Sequence, residues 1–223
     1  MGNTSAWHSL NRKLVAILRG ITPDEVTPYL DILLAEGFSA IEIPLNSPSP
    51  YESIEIAVKH LKSVAPDQCL IGAGTVLKVD EVHQLNELGA NLVVSPNTDV
   101  DVIASTIELG MTSIPGCYTA TECFTAISAG ATALKIFPAS NLGPSGIAAL
   151  MAVLPNDIDI CAVGGIESTD FADYAKVGVA GFGLGSCLYK NGISQMEFTL
   201  KASSICSSYD TQCGSASKSG FSL

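Results

Sequence analysis

Short β-branched runs alternate with longer amphipathic stretches through most of this chain, and this change of hydrophobic period restricts the fold more than any other feature. Strands of a parallel sheet read as short apolar runs, whereas the helices that cover the sheet repeat near every 3.6 residues. We therefore predict eight strands, at LVAILRG (14–20), AIEIPL (40–45), CLIGAGTV (69–76), LVVSP (92–96), TSIPG (112–116), ALKIFP (133–138), ICAVGG (160–165) and GFGLGS (181–186).

Helix signals separate these strands. Thr22 and Ser168 are predicted N-caps, and glycines that suit helix C-caps recur at 37, 89, 110, 130 and 178. Eight strand–helix units predict a (β/α)8 barrel. A doubly wound sheet is the alternative, but it usually has fewer strands and a Gly-rich dinucleotide turn after the first one, where this chain has LRGITPDE.

The 223 residues, 47% of them hydrophobic, are enough for one sizeable core. We expect a single barrel domain over residues 1–204, beginning with a short lead-in. Residues 205–223 are rich in Ser and Gly and lie outside the repeat, so we expect a loosely ordered tail.

The net charge of −11 disfavours nucleic acid and anionic membrane surfaces as partners. No apolar run approaches the roughly 20 residues of a membrane span, and the polar N-terminus has no signal-peptide core. The seven cysteines are scattered without a Cys-x-x-Cys pair, which is typical of buried thiols in a reducing compartment. We expect a cytoplasmic protein.

Four polar residues fall near the carboxyl ends of predicted strands, where barrel active sites lie. Strand alternation turns Glu42 and Lys135 to the barrel interior and their isoleucine neighbours to the helices. The same reasoning places Arg19 with Val15 and Ile17. It also places Thr75 with Ile71 and Ala73 on an interior face, so all four polar side chains are expected in one cavity.

Lys135 lies inside an apolar run, so its charge needs an explanation. Burial lowers the pKa of an amine, and a neutral amine attacks carbonyl carbon to form a Schiff base. Glu42 would then be a general acid/base. The alternative is a Lys–Glu ion pair that only fills the barrel. Arg19 is either an anion clamp or a surface salt bridge, and Thr75 either a ligand contact or an ordinary strand residue.

Two glycine-rich segments follow the last two predicted strands. AVGGIES contains Gly164 and Gly165, and GLGS contains Gly185 and Ser186. Backbone N–H groups at these two positions of a barrel commonly bind phosphate, although glycines also serve tight turns. We predict a phosphate site here. Because His8, His60 and His83 fall outside the strand ends, we expect no catalytic metal.

Several of these motifs occur together in barrel order: AILRGI, AIEIPLNSP, IGAGTV, SPN, PGC, ALKIFPAS, AVGG and GLGS. Over residues 14–190 the chain resembles the class I 2-keto-3-deoxy-6-phosphogluconate/galactonate aldolases. The resemblance implies a (β/α)8 fold, usually a homotrimer, and cleavage of a phosphorylated keto acid to pyruvate and glyceraldehyde 3-phosphate. It implies no metal or other cofactor.

The resemblance also assigns residue roles. The Schiff-base lysine falls on Lys135 and the proton-shuttling glutamate on Glu42. Arg19 and Thr75 are implied near the carboxylate or the chain of the substrate, and the phosphate elements fall on the glycine-rich segments. Pro96 of SPN and Phe137 are expected in the substrate pocket. Gluconate-type members typically carry Arg four residues after the glutamate, and Asn46 at that position favours the galactonate type.

Overall fold

The computed structural model describes residues 4–64 and 69–213, without the side chains of residues 4 and 5. Nine strands lie in this part of the chain: β1 (Leu14–Ile17), β2 (Ala40–Pro44), β3 (Leu70–Gly74), β4 (Leu92–Val94), β5 (Thr112–Ile114), β6 (Gly116–Cys117), β7 (Ala133–Ile136), β8 (Asp159–Val163) and β9 (Gly181–Leu184). The helices are α1 (Thr4–His8), α2 (Pro23–Glu36), α3 (Pro50–Val64), α4 (Val79–Leu88), α5 (Val100–Glu108), α6 (Ala120–Ser128), α7 (Ala139–Met151), α8 (Phe171–Lys176) and α9 (Gln195–Gln212), with a 3-10 turn at Ser168–Asp170 before α8.

All neighbouring strands are parallel, in the order β5-β4-β3-β2-β1-β9-β8-β7-β6. The two edges of this order, β5 and β6, are halves of one strand interrupted at Pro115. The Lys135 N–H donates to the Pro115 carbonyl at 2.9 Å, which joins this interrupted strand to β7. The sheet therefore closes, which confirms the (β/α)8 barrel and makes the doubly wound alternative wrong.

Two apolar layers stabilise the barrel. Side chains such as Val15, Ile17 and Ala133 fill its interior, while Ile41 and Leu134 pack outward against the helices. This is the alternation that strand geometry predicts for β1, β2 and β7. Trp7 of α1 is fully buried in the interior layer.

Helix ends follow the sequence signals with one exception. Thr22 caps α2 in a capping box with Glu25, and all five predicted C-terminal glycines adopt positive φ. Ser168 is not an N-cap, because the 3-10 turn already begins there; its preceding residue, Glu167, is the cap, and the Glu167 N–H donates to Asp170. The single-residue error reflects the tighter first turn.

The predicted boundary at residues 204/205 is wrong, because α9 continues to Gln212. Ile205 and Cys206 are buried, and Arg12 donates two hydrogen bonds of 2.7 Å to Asp210. Ser, Thr and Gln residues interrupt the apolar face of this helix, so its composition did not predict that the helix continues. Residues 214–223 of the expected tail lie outside the described part of the chain.

Candidate active site

Lys135 lies near the carboxyl end of β7 with its side chain inside the barrel, as predicted. It is 7% exposed. Gly116 and Cys161 are its partners on the neighbouring strands, so small side chains surround it on both sides. The amine is therefore buried inside the barrel between positions that carry small side chains.

Glu42 enters the same interior from β2 and is 2% exposed. Space for its carboxylate comes from β3, whose residue paired with Pro44 is Gly74. A Cβ at Gly74 would overlap the Glu42 carboxylate, and a Cβ at Gly72 would overlap the Leu92 carbonyl. Gly74 is thus required to make space for the carboxylate inside the barrel, and Gly72 is required for the close approach of the β4 backbone.

Burial dominates the electrostatics of both groups. It lowers the pKa of the Lys135 amine and raises the pKa of the Glu42 carboxyl, and the attraction between the two groups opposes both shifts. Arg19 lowers the pKa of each of them. Both shifts bring these groups closer to accepting and releasing protons near neutral pH.

Lys135 and Glu42 do not form a direct ion pair. Among the described residues, no salt bridge with an N···O distance of 4.0 Å or less includes either side chain. A purely space-filling ion pair, the alternative left open by the sequence, would require that contact. The two groups are therefore coupled through their charges without direct contact between amine and carboxylate.

Thr75 reaches this end of the barrel by a different route from the one predicted. Ile71 and Ala73 pack outward against the helices, so the interior positions of β3 are Leu70 and the two glycines. Thr75 follows the last strand residue with a φ of 60°, which breaks the alternation. The prediction that Thr75 shares a face with Ile71 and Ala73 inside the barrel is wrong, because the glycines rather than those residues face inward.

Arg19 lies in the loop after β1 and is exposed. Its Nη1 donates to Oδ1 of Asn46, in the loop after β2. The same two loops are joined again where the Gly20 N–H donates to the Ser47 hydroxyl at 3.0 Å. Arg19 forms no salt bridge within the described residues, so its charge is available to an anion rather than neutralised by a protein carboxylate.

The glycine-rich segment after β8 forms a turn that requires glycine. Gly164 and Gly165 have φ values of 92° and 72°. The first turn of α7 lies against them: the Ser140 N–H donates to the Gly164 carbonyl at 3.1 Å, and a Cβ on Gly165 would lie 2.8 Å from the Ser140 Cβ. Ser140 is exposed beside this turn. The sequence pattern did not predict this position, because it does not show that α7 begins next to the loop after β8.

The other expected pocket residues lie at the same end of the barrel. Gly185 and exposed Ser186 directly follow β9. Pro96 is in the loop after β4, with its carbonyl beside Gly116. Phe137 follows β7 and is 38% exposed, and its ring faces the Lys135 amine.

Two further properties describe the chain around this site. In residues 4–64 and 69–213, no three His, Cys, Asp or Glu side chains are arranged to hold a metal ion. Of the helices that the structure describes, none combines the length and apolar character that crossing a membrane needs.

The structure is a closed parallel barrel with polar side chains gathered at the carboxyl ends of its strands, which is the architecture of barrel enzymes. Comparison with known proteins shows that this protein is an aldolase, a carbon–carbon lyase. A family model described as "KDPG and KHG aldolase" matches residues 8–199. The chain belongs to that family.

Individual relatives agree. A probable 2-dehydro-3-deoxy-6-phosphogalactonate aldolase of Rhizobium meliloti (strain 1021) is 50% identical over 92% of this chain and 95% of its own. The 2-dehydro-3-deoxy-6-phosphogalactonate aldolase of Escherichia coli (strain K12) is 48% identical over 88% and 94%. A solved structure described as native KDPGal shares 46% identity over 92% of this chain and 97% of its own, with a TM-score of 0.87.

Proposed function

We propose that this protein is a class I aldolase that cleaves 2-dehydro-3-deoxy-6-phospho-D-galactonate to pyruvate and D-glyceraldehyde 3-phosphate. The observation that carries the proposal is the buried Lys135 amine on β7, with its lowered pKa, facing the barrel interior that the buried Glu42 carboxylate also occupies. A Schiff-base mechanism needs a neutral amine and a group that moves protons beside it, and these two residues supply both.

The reaction begins at the C2 ketone of the substrate. The neutral Lys135 Nζ attacks C2 to give a carbinolamine, which loses water and becomes an iminium. Glu42, whose pKa is raised by burial, supplies the proton that the departing hydroxyl needs, directly or through a water. The iminium then draws electrons toward nitrogen.

Cleavage follows from that electron demand. The Glu42 carboxylate, directly or through the same water, takes the proton of the C4 hydroxyl. The C3–C4 bond breaks, glyceraldehyde 3-phosphate leaves, and the bonding electrons pass to C3 and nitrogen as an enamine. Protonation at C3 restores an iminium, and water hydrolyses it to pyruvate and free Lys135. The water consumed here balances the one released at the start.

The two ends of the substrate carry negative charge, and a chain with a net charge of −11 must bind them with local positive potential. Arg19 binds the carboxylate end. The phosphate binds the backbone N–H groups of the Gly164–Gly165 turn and of Gly185 and Ser186. Thr75, Pro96 and Phe137 line the path between the two ends.

The galactonate stereochemistry rests on two observations. Asn46, which fixes Arg19, occupies the position where gluconate-type members typically carry Arg. Two relatives at 48–50% identity over most of the chain are named for the phosphogalactonate substrate. A gluconate-type or 4-hydroxy-2-oxoglutarate aldolase is the alternative within the family.

Turnover of the two C4 epimers tests the assignment. Pyruvate release is followed with lactate dehydrogenase for 4-hydroxy-2-oxoglutarate and for the galactonate and gluconate forms, the latter two each with and without the 6-phosphate. We expect the highest kcat/KM on the phosphorylated galactonate form. A clear preference for the gluconate epimer contradicts the stereochemical assignment, and no pyruvate from any of them would favour a non-catalytic phosphate-binding barrel.

We further propose a homotrimer in the cytoplasm. Exposed Val100 and Phe124 line a surface cleft between α5 and α6, and covering these apolar side chains with another copy would favour association. All seven cysteines are free thiols, which supports a reducing compartment. Light scattering should give about three times the 23.1 kDa of one chain; a monomer mass would contradict the trimer.

A further inference from the structure

We propose that Phe137 is a catalytic residue, whose ring face stabilises the positive charge of the iminium formed on Lys135. The inference rests on the Schiff-base function proposed above and adds a role to a residue that the sequence suggests only as pocket wall. The species that the ring stabilises is the iminium cation, whose positive charge lies on the Lys135 nitrogen.

The geometry places the ring against the amine. Lys135 Nζ lies over the Phe137 ring, 4.7 Å from its centroid. A cation within about 6 Å of an aromatic centroid, over its face, is attracted by the negative face of the ring. Phe137 directly follows β7, two positions after Lys135, so the backbone brings both side chains to the same side.

Gly164 and Cys117 hold the Phe137 ring in position against the amine. A Cβ on Gly164 would lie 3.0 Å from Cδ2 and Cε2 of Phe137, and 3.3 Å from Cα of Pro138. The ring thus packs on the bare backbone of a glycine, which any other residue would push away. The Phe137 N–H donates to the Cys117 carbonyl at 3.1 Å and anchors the backbone that carries the ring.

The chemistry creates a need for this contact. Burial favours the neutral amine, which is the attacking form, but the iminium that follows is positively charged at almost the same place. Two charged groups act on that position: Glu42 from β2 attracts the charge, and Arg19 from the loop after β1 repels it. Glu42 gives up its negative charge whenever it carries a proton, whereas the attraction of the ring does not change during the cycle.

The expected effect of losing the ring follows from measured cation–π attractions, which correspond to about a 3- to 30-fold change in the equilibrium of iminium formation. Replacing Phe137 by Leu keeps an apolar side chain but removes the ring face. Replacing it by Tyr keeps the ring. Because Phe137 is partly exposed, neither change empties the core; Phe137→Met gives the same contrast as Leu with a more flexible side chain.

The test traps the iminium. Each full-length variant is incubated with pyruvate and borohydride, and the adduct on Lys135 is quantified by mass spectrometry against pyruvate concentration and pH. Phe137→Leu should need about 3- to 30-fold more pyruvate for half-maximal trapping. Its pH midpoint should also move to lower pH, because the ring stabilises the ammonium form and its loss lowers the amine pKa. A residue that only walls the pocket would leave that midpoint unchanged.

Phe137→Tyr, which keeps the ring, should bring both measurements back toward the wild-type values. Val153→Ala changes an exposed apolar side chain in the loop between α7 and β8, at the opposite end of the barrel, and should leave both measurements unchanged. The proposal is overturned if Phe137→Leu matches wild type in both measurements, or if Phe137→Tyr is impaired as much as Phe137→Leu. Absence of any adduct in the wild type would instead refute the Schiff-base function, so the two failures are distinguishable.

Discussion

The Glu42 carboxylate occupies the space that a side chain at Gly74 would fill. The two residues lie on adjacent strands, where Pro44 pairs with Gly74 and Glu42 with Gly72. A barrel interior is normally filled by branched apolar side chains. Here the missing side chain at Gly74 of β3 leaves space for an acid instead, so the position of the Glu42 carboxylate depends on that glycine.

We expect Gly74→Ala to lower kcat/KM by about 10²-fold, since displacement of a catalytic group by about 1 Å can cost that much. The added methyl meets the end of a flexible side chain rather than backbone, so the barrel should still fold. Steady-state kinetics and circular dichroism check the two statements.

A double-mutant cycle with Glu42→Gln provides the control. If Gly74→Ala acts through Glu42, the second substitution should add little once the carboxylate is gone. Fully additive losses would mean that Gly74 acts by another route.

Removal of the Glu42 charge should shift the pH dependence of imine formation. The carboxylate raises the pKa of Lys135, so Glu42→Gln should lower that pKa further. The neutral amine then forms at lower pH, and the midpoint of the borohydride-trapping rate moves to lower pH even as kcat falls by about 10²-fold or more. A midpoint displaced to higher pH would contradict the coupling.

The hydrogen bond from Arg19 to Asn46 predicts that loss of the Asn46 side chain weakens substrate binding. Asn46→Ala frees the guanidinium, and we expect KM to rise by about 3- to 10-fold with kcat nearly unchanged, in line with the loss of one charge-assisted hydrogen bond. Arg19→Met should raise KM more. Asn156→Ala, an exposed residue outside the site in the loop before β8, is the matched control and should be silent.

Equal KM values for wild type, Asn46→Ala and Arg19→Met would show that this pair does not bind substrate.

The last helix predicts a difference between two truncations. A chain ending at residue 204 loses buried Ile205 and Cys206, the Arg12–Asp210 ion pair and the packing of Tyr209 against Phe182. We expect it to lose about 3 kcal/mol or more of unfolding free energy, the usual cost of removing buried apolar side chains. A chain ending at residue 213 keeps these contacts and should match the full chain. Denaturant unfolding measures both, and equal stability would make α9 dispensable beyond residue 204.

Sequence periodicity predicted the barrel because each strand–helix unit must bury one apolar face, and residues such as Leu134 and Ile41 show that face directly. It also placed Lys135 and Glu42 correctly, since both lie within regular strands. It misplaced Thr75, where two glycines carry no side chain to show which face is inward and a φ of 60° interrupts the alternation. Neither the contact of Ser140 with Gly165 nor that of Phe137 with Gly164 could be predicted, because both depend on how the start of α7 meets the loop after β8.

The most direct test of the account is a covalent one. Wild-type protein is incubated with pyruvate and borohydride, digested, and analysed by mass spectrometry, with Lys135→Ala and Lys13→Ala in parallel. Lys13 is a matched control because it is partly buried at the opposite end of the barrel, where it pairs with Asp159 at 2.6 Å. We predict an irreversible pyruvate adduct on Lys135 in the wild type and in Lys13→Ala, and none in Lys135→Ala. An adduct on another lysine, or no adduct in an enzyme that still releases pyruvate, would contradict the proposed mechanism.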